Sequence, residues 1–223
     1  MILSPVEWTA LGISLKVAST ALVLMVILGV PLAWLLARRN FPGRTLLEAA
    51  ASLPLVLPPV VTGYLLLWLL SPKSSLGKGL HRLLGFDLVF TWQAATLAAA
   101  VVSFPLFLRA MRSAIEAVDT QLEEAAANLG ASPLRVFTSV TFPLARHGFV
   151  AGAILGFSRA LGEFGATILV AGNIPGRTQT IPLAIFSLTN TSELSAAWPL
   201  VLTVSILSFI LVALADRAVR RGR

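Results

Sequence analysis

The chain has 223 residues, of which 57% are hydrophobic and only 12% are charged, whereas charged residues make up about a quarter of an ordinary soluble domain. It contains no cysteine, which excludes disulfides and thiolate metal sites. The net charge of +7 would suit a nucleic-acid-binding protein, but the basic residues cluster between long apolar stretches. The composition therefore predicts a membrane protein and argues against nucleic acid as a partner.

Five apolar stretches are long enough to cross a bilayer, whose hydrocarbon core takes about 20 residues of helix. They are continuously apolar rather than alternating, so helices are favoured over the strands of a closed barrel. We therefore predict an all-α fold, a polytopic membrane helical bundle of about five transmembrane helices. The predicted spans are residues 17–37, 46–70, 88–108, 148–171 and 196–215.

The segment before the first span, residues 1–16, is too short to cross the membrane. It mixes charged and aromatic residues, with Glu7, Trp8 and Lys16 close together in the sequence. We expect it to form an interfacial helix on the outer surface that leads into the first span.

Basic residues are concentrated on one side of the five-span arrangement. Because cytoplasmic loops carry an excess of Lys and Arg, we predict that this side is cytoplasmic, with the N-terminus outside and the C-terminus inside. The predicted location is the inner (cytoplasmic) membrane, as a multi-pass protein. The basic residues on the cytoplasmic side are Arg38, Arg39, Arg44, Arg109, Arg112, Arg135, Arg146, Arg217, Arg220, Arg221 and Arg223.

The longest polar interruption is the loop at about residues 109–147. Within it, Thr120 and Glu123 fit a capping box at the start of a helix. Gly130 is predicted to end that helix in the left-handed conformation, and Ser132 to cap a second short helix. The pattern predicts a helix–turn–helix lying across the membrane face, which could either pack under its own bundle or bind another protein.

The spacing inside this loop resembles the EAA motif of the permease subunits of binding-protein-dependent ABC importers. That motif reads Glu-Ala-Ala, three residues, Gly, nine residues, Ile or Val, one residue, Leu or Phe, Pro. The resemblance implies the fold of a type I ABC importer transmembrane domain and a loop that docks on an ATPase. The matching residues are Glu124, Ala125, Ala126, Gly130, Val140, Phe142 and Pro143.

A nucleotide site of the form G-x-x-x-x-G-K-[ST] is absent from the sequence. We therefore expect a transport subunit that is not an enzyme and holds no cofactor or metal, with ATP-Mg bound by a separate ATPase subunit. The resemblance implies a second copy of the chain, two cytoplasmic ATPase subunits and an extracytoplasmic binding protein as partners, within membrane lipid.

Three further stretches, residues 53–67, 157–168 and 173–182, resemble the permeases of molybdate importers. With them the resemblance extends over nearly the whole chain, so we expect residues 1–223 to form a single transmembrane permease domain. It implies a channel-forming subunit that translocates molybdate. The alternative is a permease for a related oxyanion, either tungstate or sulfate/thiosulfate, because those permeases share the loop.

Prolines in the second span and a charged pair in the fourth mark the candidate translocation path. Proline removes a backbone donor, and broken helices at membrane depth either line a cavity or serve packing. Arg159 and Glu163 are one turn apart, and we expect them to pair, either as a structural pair or as part of the gate. The candidate path or gate residues are Pro58, Pro59, Thr62, Ser103, Arg159, Glu163 and Thr167.

Two other classes of function account for less of the sequence. An intramembrane enzyme would need polar catalytic pairs inside the spans, and only Arg159 and Glu163 are available. A purely structural membrane protein leaves the complete EAA spacing unexplained.

Overall fold

The computed structural model describes residues 3–190 and 194–220. Within these ranges the chain is helical with short connections and has no strand, as predicted. A π-helical turn at Phe137–Thr141 joins the seventh helix to the eighth, and a 3₁₀ turn at Leu194–Ala197 precedes the last. The helices are α1 (Pro5–Arg38), α2 (Arg44–Val56), α3 (Pro59–Leu70), α4 (Ser75–Leu84), α5 (Trp92–Glu116), α6 (Thr120–Asn128), α7 (Pro133–Val136), α8 (Phe142–Leu161), α9 (Gly165–Ala171), α10 (Ile181–Asn190) and α11 (Trp198–Arg220).

The described residues contain four helical segments that are long and apolar enough to cross a membrane. A fifth crossing forms if α2 and α3, which meet at a bend of 112°, count as one broken span. The prediction of about five spans is therefore confirmed. The four unbroken segments are Pro5–Arg38, Trp92–Glu116, Pro133–Leu161 and Ser195–Arg220.

The expectation of a separate surface helix before the first span is wrong. α1 begins at Pro5 and continues without a break to Arg38. Ser4 caps its start, because its hydroxyl accepts the N–H of Glu7 while the Glu7 carboxylate accepts the N–H of Ser4. At 1.5 Å per residue α1 is about 50 Å long, well beyond the roughly 30 Å of a hydrocarbon core. Residues 1 and 2 lie outside the described part.

The second and fourth predicted spans are each broken. α2 ends before Pro58 and Pro59, whose missing N–H groups interrupt the helical hydrogen bonds. The prediction of one continuous fourth span over 148–171 is wrong, because α8 ends at Leu161 and α9 begins at Gly165. The carboxylate of Glu163 accepts the N–H of Ala166, and so satisfies a free donor at the start of the new helix.

The centre of the bundle is formed by α1, α5 and α8. Lys16 in the first half of α1 lies 3.7 Å from the ring centroid of Trp92 at the start of α5. At the other end, Arg38 contacts the carbonyl of Ile115 near the end of α5, so the two helices run parallel. We call these two ends of the molecule the Lys16 end and the Arg38 end.

Glycines on α8 allow that helix to approach α5 closely. A Cβ atom at Gly148 would lie 2.5 Å from the Cβ of Ala114, and one at Gly156 would lie 3.0 Å from a ring carbon of Phe107. These contacts follow opposite directions along the two chains, so α8 is antiparallel to α5. Small residues at such interfaces are typical of helix packing in membranes.

Candidate functional site

The loop with the EAA spacing lies at the Arg38 end, where it forms α6, α7 and the π-helical turn. The predicted capping box at Thr120 is wrong, because Asp119 is the N-cap and its carboxylate accepts the N–H of Gln121 at 2.9 Å. Glu123 is therefore not needed at the start of α6, and its side chain contacts other elements instead.

The predicted end of α6 at Gly130 is confirmed. Gly130 has a φ of +88°, in the left-handed region that favours glycine. Its N–H donates to the carbonyl of Ala127, and the N–H of Ala131 donates to that of Ala126, which is a Schellman motif. Ser132 then caps α7 by accepting the N–H of Arg135, as expected.

α6 presents an uncovered surface. None of its residues is buried, and the side chains of Glu124 and Ala125 are exposed. Leu129 and Leu134 are 90% and 73% exposed, although both are large apolar residues. These leucines do not pack under the chain's own bundle, so the structure leaves an apolar surface with a carboxylate beside it.

The remaining motif residues connect this surface to α8. Phe142 packs its ring against Phe149 at a centroid distance of 5.3 Å and against Phe137 at 6.3 Å. Val140 is half-buried in the π-helical turn, and Pro143 is exposed in the first turn of α8. A π-helical turn is wider than an α-helical one by one residue, and such turns are frequent at functional sites.

A largely shielded ion pair, whose side chains are 12% and 13% exposed, holds α6 to the ends of α1 and α5. The guanidinium Nε of Arg38 lies 2.8 Å from a carboxylate oxygen of Glu123. The Nη2 group of Arg38 also donates to the carbonyls of Ile115, at 2.7 Å, and Val118, at 3.0 Å. The hydroxyl of Thr141 donates to the other oxygen of Glu123. Sequence reasoning missed this cluster, because its members come from four separate elements.

A second group of charges connects α2 to α5 at the same end of the molecule. Arg112 places its guanidinium 2.6 Å from Glu48 and 2.6 Å from Glu116, and Arg44 lies 3.2 Å from Glu48. These side chains are partly exposed, so each pair contributes little to stability by itself. Together they fix the start of the broken second span against α5.

The predicted pairing of Arg159 with Glu163 is confirmed. Their charged atoms lie 2.8 Å apart, and Glu163 is buried while Arg159 is one-third exposed. The second oxygen of Glu163 accepts the N–H of Ala166. The assignment of the pair to a gate stays a prediction.

The breaks in the second and fourth spans face each other. A Cβ atom at Gly63 would lie 2.7 Å from the Cα of Ala166, and one at Gly165 would lie 2.9 Å from the Cβ of Pro59. The backbones of α3 and α9 are therefore in direct contact beside Glu163. The candidate residues Thr62 and Thr167 are buried next to these contacts, while Pro58 is exposed at the bend.

Two of the candidate hydroxyl groups are unpartnered. Thr62 on α3 and Ser103 on α5 are buried, and neither hydroxyl oxygen has a hydrogen-bond partner among the described residues. A hydroxyl inside a helix commonly donates to a carbonyl of its own helix, and these two do not. A buried hydroxyl without a partner carries a free-energy cost, and neither oxygen is accessible to solvent in this structure.

An open cavity of about 740 Å³ lies at the Lys16 end. Its lining includes the cations Lys16 and Arg177, the hydroxyl residues Thr91 and Thr178, and Asp87, which pairs with His81. Across the described ranges, no three His, Cys, Asp or Glu side chains are placed to hold a metal ion. Both hydroxyls form hydrogen bonds with backbone groups of their own segments, so the charged side chains that the cavity offers to an anion are those of Lys16 and Arg177.

Comparison with known proteins places this arrangement in a family. Residues 29–223 match the family described as binding-protein-dependent transport system inner membrane component. The chain is 50% identical over 191 residues to the molybdenum transport system permease protein ModB of Escherichia coli K12, covering 86% of this chain and 83% of that protein. It is 36% identical to the probable sulfate transport system permease protein cysT of Nephroselmis olivacea, covering 94% and 73%.

A solved structure shares the fold. The MetNI methionine ABC transporter in inward-facing conformations superposes with a TM-score of 0.73 over 100% of both chains, at 18% identity. The EAA spacing, the broken spans and these likenesses agree. The chain therefore belongs to the family of binding-protein-dependent transport system inner membrane components.

Proposed function

We propose that this chain is the channel-forming subunit of an ATP-driven importer that carries molybdate across the inner membrane. The observation that carries this proposal is the uncovered surface of α6, which presents the EAA residues outside the bundle. The substrate is supported by the relative of 50% identity, whose name gives molybdenum transport. Sulfate or tungstate import is the second candidate, and the sulfate permease relative of 36% identity supports it.

The surface of α6 fits a groove on a separate ATPase subunit. Apolar helical side chains rimmed by polar groups are a common way for one protein to insert into another. Leu129 and Leu134 supply the apolar contact, Ala125 allows close approach, and Glu124 adds a charge that fixes orientation. ATP-Mg is bound and hydrolysed on the ATPase, and this chain holds no cofactor of its own.

A second copy of the chain completes the pathway. α3 exposes Tyr64, Leu65 and Trp68 as well as Val60 and Val61, which together make a continuous apolar face next to the bend. Lipid or another helix can cover such a face. Its position beside the broken spans favours coverage by a second copy of the chain. The path then runs between the two copies along Pro58 and Pro59 at the bend, with Arg159 and Glu163 at the gate. Thr62, Ser103 and Thr167, the other candidate path residues, are buried behind this face within one copy.

The Arg38 end is cytoplasmic and the Lys16 end faces outwards, with the N-terminus outside. The basic residues described at the ends of α1, α5 and α11 support this orientation under the positive-inside rule. Arg221 and Arg223, which the sequence also predicts to be cytoplasmic, lie outside the described residues. The cavity with Lys16 and Arg177 would then meet an extracytoplasmic binding protein and its oxyanion.

Uptake of radioactive molybdate tests the proposal. Cells that lack their own high-affinity permease should take up molybdate when they express this chain with its ATPase and binding protein, and excess sulfate should compete poorly. Sulfate uptake without molybdate uptake would contradict molybdate as the substrate and support the second candidate. Failure of any ATPase subunit to co-purify with the chain would overturn the proposal of an ATP-driven importer.

A further inference from the structure

The position of α6 is not fixed by apolar burial. The helix has nine residues and none of them is buried, and helices shorter than about 12–15 residues are marginal in water. Its main backbone neighbours are α7 and the π-helical turn of the same loop. The elements that must respond to a docked ATPase are the long helices. The backbone links α6 to α5 and α8 through the loop, so its connection to α1 has to come from side chains.

Arg38 and Glu123 make that connection. Their side chains are only 12% and 13% exposed, and they are 85 positions apart in the sequence. Arg38 lies in the last turn of α1, and Glu123 lies in the first turn of α6. A charge-assisted contact shielded from water is stronger than an exposed one.

Each end of this contact is bound a second time. Arg38 donates to the carbonyl of Ile115 in the last turn of α5 and to the carbonyl of Val118 just beyond that helix. A guanidinium has several donors in a rigid fork and suits such multiple acceptors, whereas a lysine does not. Glu123 accepts the hydroxyl of Thr141, which is fully buried at the junction of the π-helical turn with α8.

We propose that Arg38, Glu123 and Thr141 form a clamp that keeps α6 in a fixed position relative to α1, α5 and α8. These are positioning residues, because their contacts join parts of the chain to one another. The inference rests on the proposed docking of α6 on an ATPase. It gives different roles to two neighbouring carboxylates, because Glu124 is exposed and faces the partner. Glu123 points into the chain and transmits the partner's movement to the helices.

The test compares isosteric variants that remove one contact each. Glu123→Gln removes the charge, and Thr141→Val removes the hydroxyl while keeping the shape. Thr141→Ser keeps the hydroxyl and serves as the conservative variant. Arg39→Gln is the matched control, because it removes the charge of an exposed arginine next to Arg38. Each variant is purified with the ATPase subunit and reconstituted into vesicles with the binding protein.

Loss of the clamp should leave assembly with the ATPase intact but impair the coupling of ATP hydrolysis to transport. ATPase subunits should co-purify with Glu123→Gln and Thr141→Val as with the wild type, and basal ATP hydrolysis should persist. Stimulation of hydrolysis by loaded binding protein, and molybdate uptake, should fall by about tenfold, the size expected for one lost charge-assisted hydrogen bond. Thr141→Ser and Arg39→Gln should retain both. Normal stimulation and uptake in Glu123→Gln and Thr141→Val would overturn the inference.

Amide hydrogen exchange of the permease alone separates this inference from the proposed function. Residues 120–128 should exchange faster in both clamp variants than in the wild type, with no ATPase present. Unchanged exchange would contradict the clamp even if transport fails. If the wild-type chain never binds an ATPase, the proposed function fails and the exchange experiment alone decides whether the clamp exists.

Discussion

The α6 loop and the contact between α3 and α9 use opposite ways of placing a helix. The α6 loop leaves Leu129 and Leu134 uncovered, and one partly buried polar cluster holds α6 in place. α3 and α9 touch backbone to backbone through Gly63 and Gly165, with a buried carboxylate capping α9. The first region leaves apolar side chains uncovered, whereas the α3–α9 contact is made entirely within the chain. Substitutions should therefore change coupling in the first and the amount of folded protein in the second.

The largest effect is expected at the charged pair beside the α3–α9 contact. Arg159→Ala would leave Glu163 buried without its cation, which costs about 3–5 kcal/mol. Adding Glu163→Gln removes the charge but keeps an acceptor for the N–H of Ala166, so much of the folded protein should return. The measurement is the yield of monodisperse permease in detergent and its melting midpoint.

The double variant also separates the two roles of the pair. If Arg159 and Glu163 are only structural, uptake returns together with the folded protein. A gate role predicts abundant protein with defective transport. Arg159→Ala at wild-type yield and melting midpoint would show that the pair is not a buried structural element.

A smaller loss is expected from Gly63→Ala. The added Cβ would lie 2.7 Å from the Cα of Ala166, and this backbone atom cannot move aside as a flexible side chain could. Overpacking of this kind costs about 1–3 kcal/mol. Gly79→Ala on α4 is the matched control, because a Cβ there meets nothing within 4 Å. Equal melting midpoints for the two variants would mean that α3 and α9 do not pack so closely.

Gly130→Asp and Glu124→Lys should change coupling rather than folding. The first alters a left-handed position at the end of α6, and the second reverses a charge on the uncovered surface. We expect yields near that of the wild type, but at least about tenfold weaker binding of the ATPase. Gly130→Asp puts a side chain at a left-handed position, and Glu124→Lys removes the carboxylate that the proposed docking uses. Asp216→Lys on α11 is the control. Normal uptake by both variants would show that the EAA residues are not part of the docking surface.

Single cysteines should report orientation with no loss of transport. The chain has no native cysteine, so a cysteine at Lys78 should react with an impermeant thiol reagent added outside. Cysteines at Asn40 or Ser132 should react only after the membrane is opened. Labelling of the Ser132→Cys variant from outside would contradict the proposed topology.

Sequence patterns are sufficient for features that depend on local chemistry. Apolar length predicts the spans, and the left-handed preference of glycine predicts the end of α6 at Gly130. The clamp is not predictable in this way, because Glu123 fits a local capping box and its actual partner Arg38 lies 85 positions away. The break after Leu161 is also not predictable from the sequence pattern. There the sequence is largely apolar apart from Arg159 and Glu163. The new helix start combines the hydrogen bond from the N–H of Ala166 to Glu163 with the tertiary contact between Gly165 and Pro59.

Contact between α6 and an ATPase is the central claim, and cross-linking from one exposed leucine tests it most directly. Leu129→Cys, at a side chain that is 90% exposed, should cross-link to the co-expressed ATPase subunit in native membranes. Leu83→Cys, a leucine 80% exposed on α4, should give no such product, because α4 lies between the second and third spans on the opposite side. Cross-linking of the ATPase from Leu83→Cys, or from neither variant, would contradict the account.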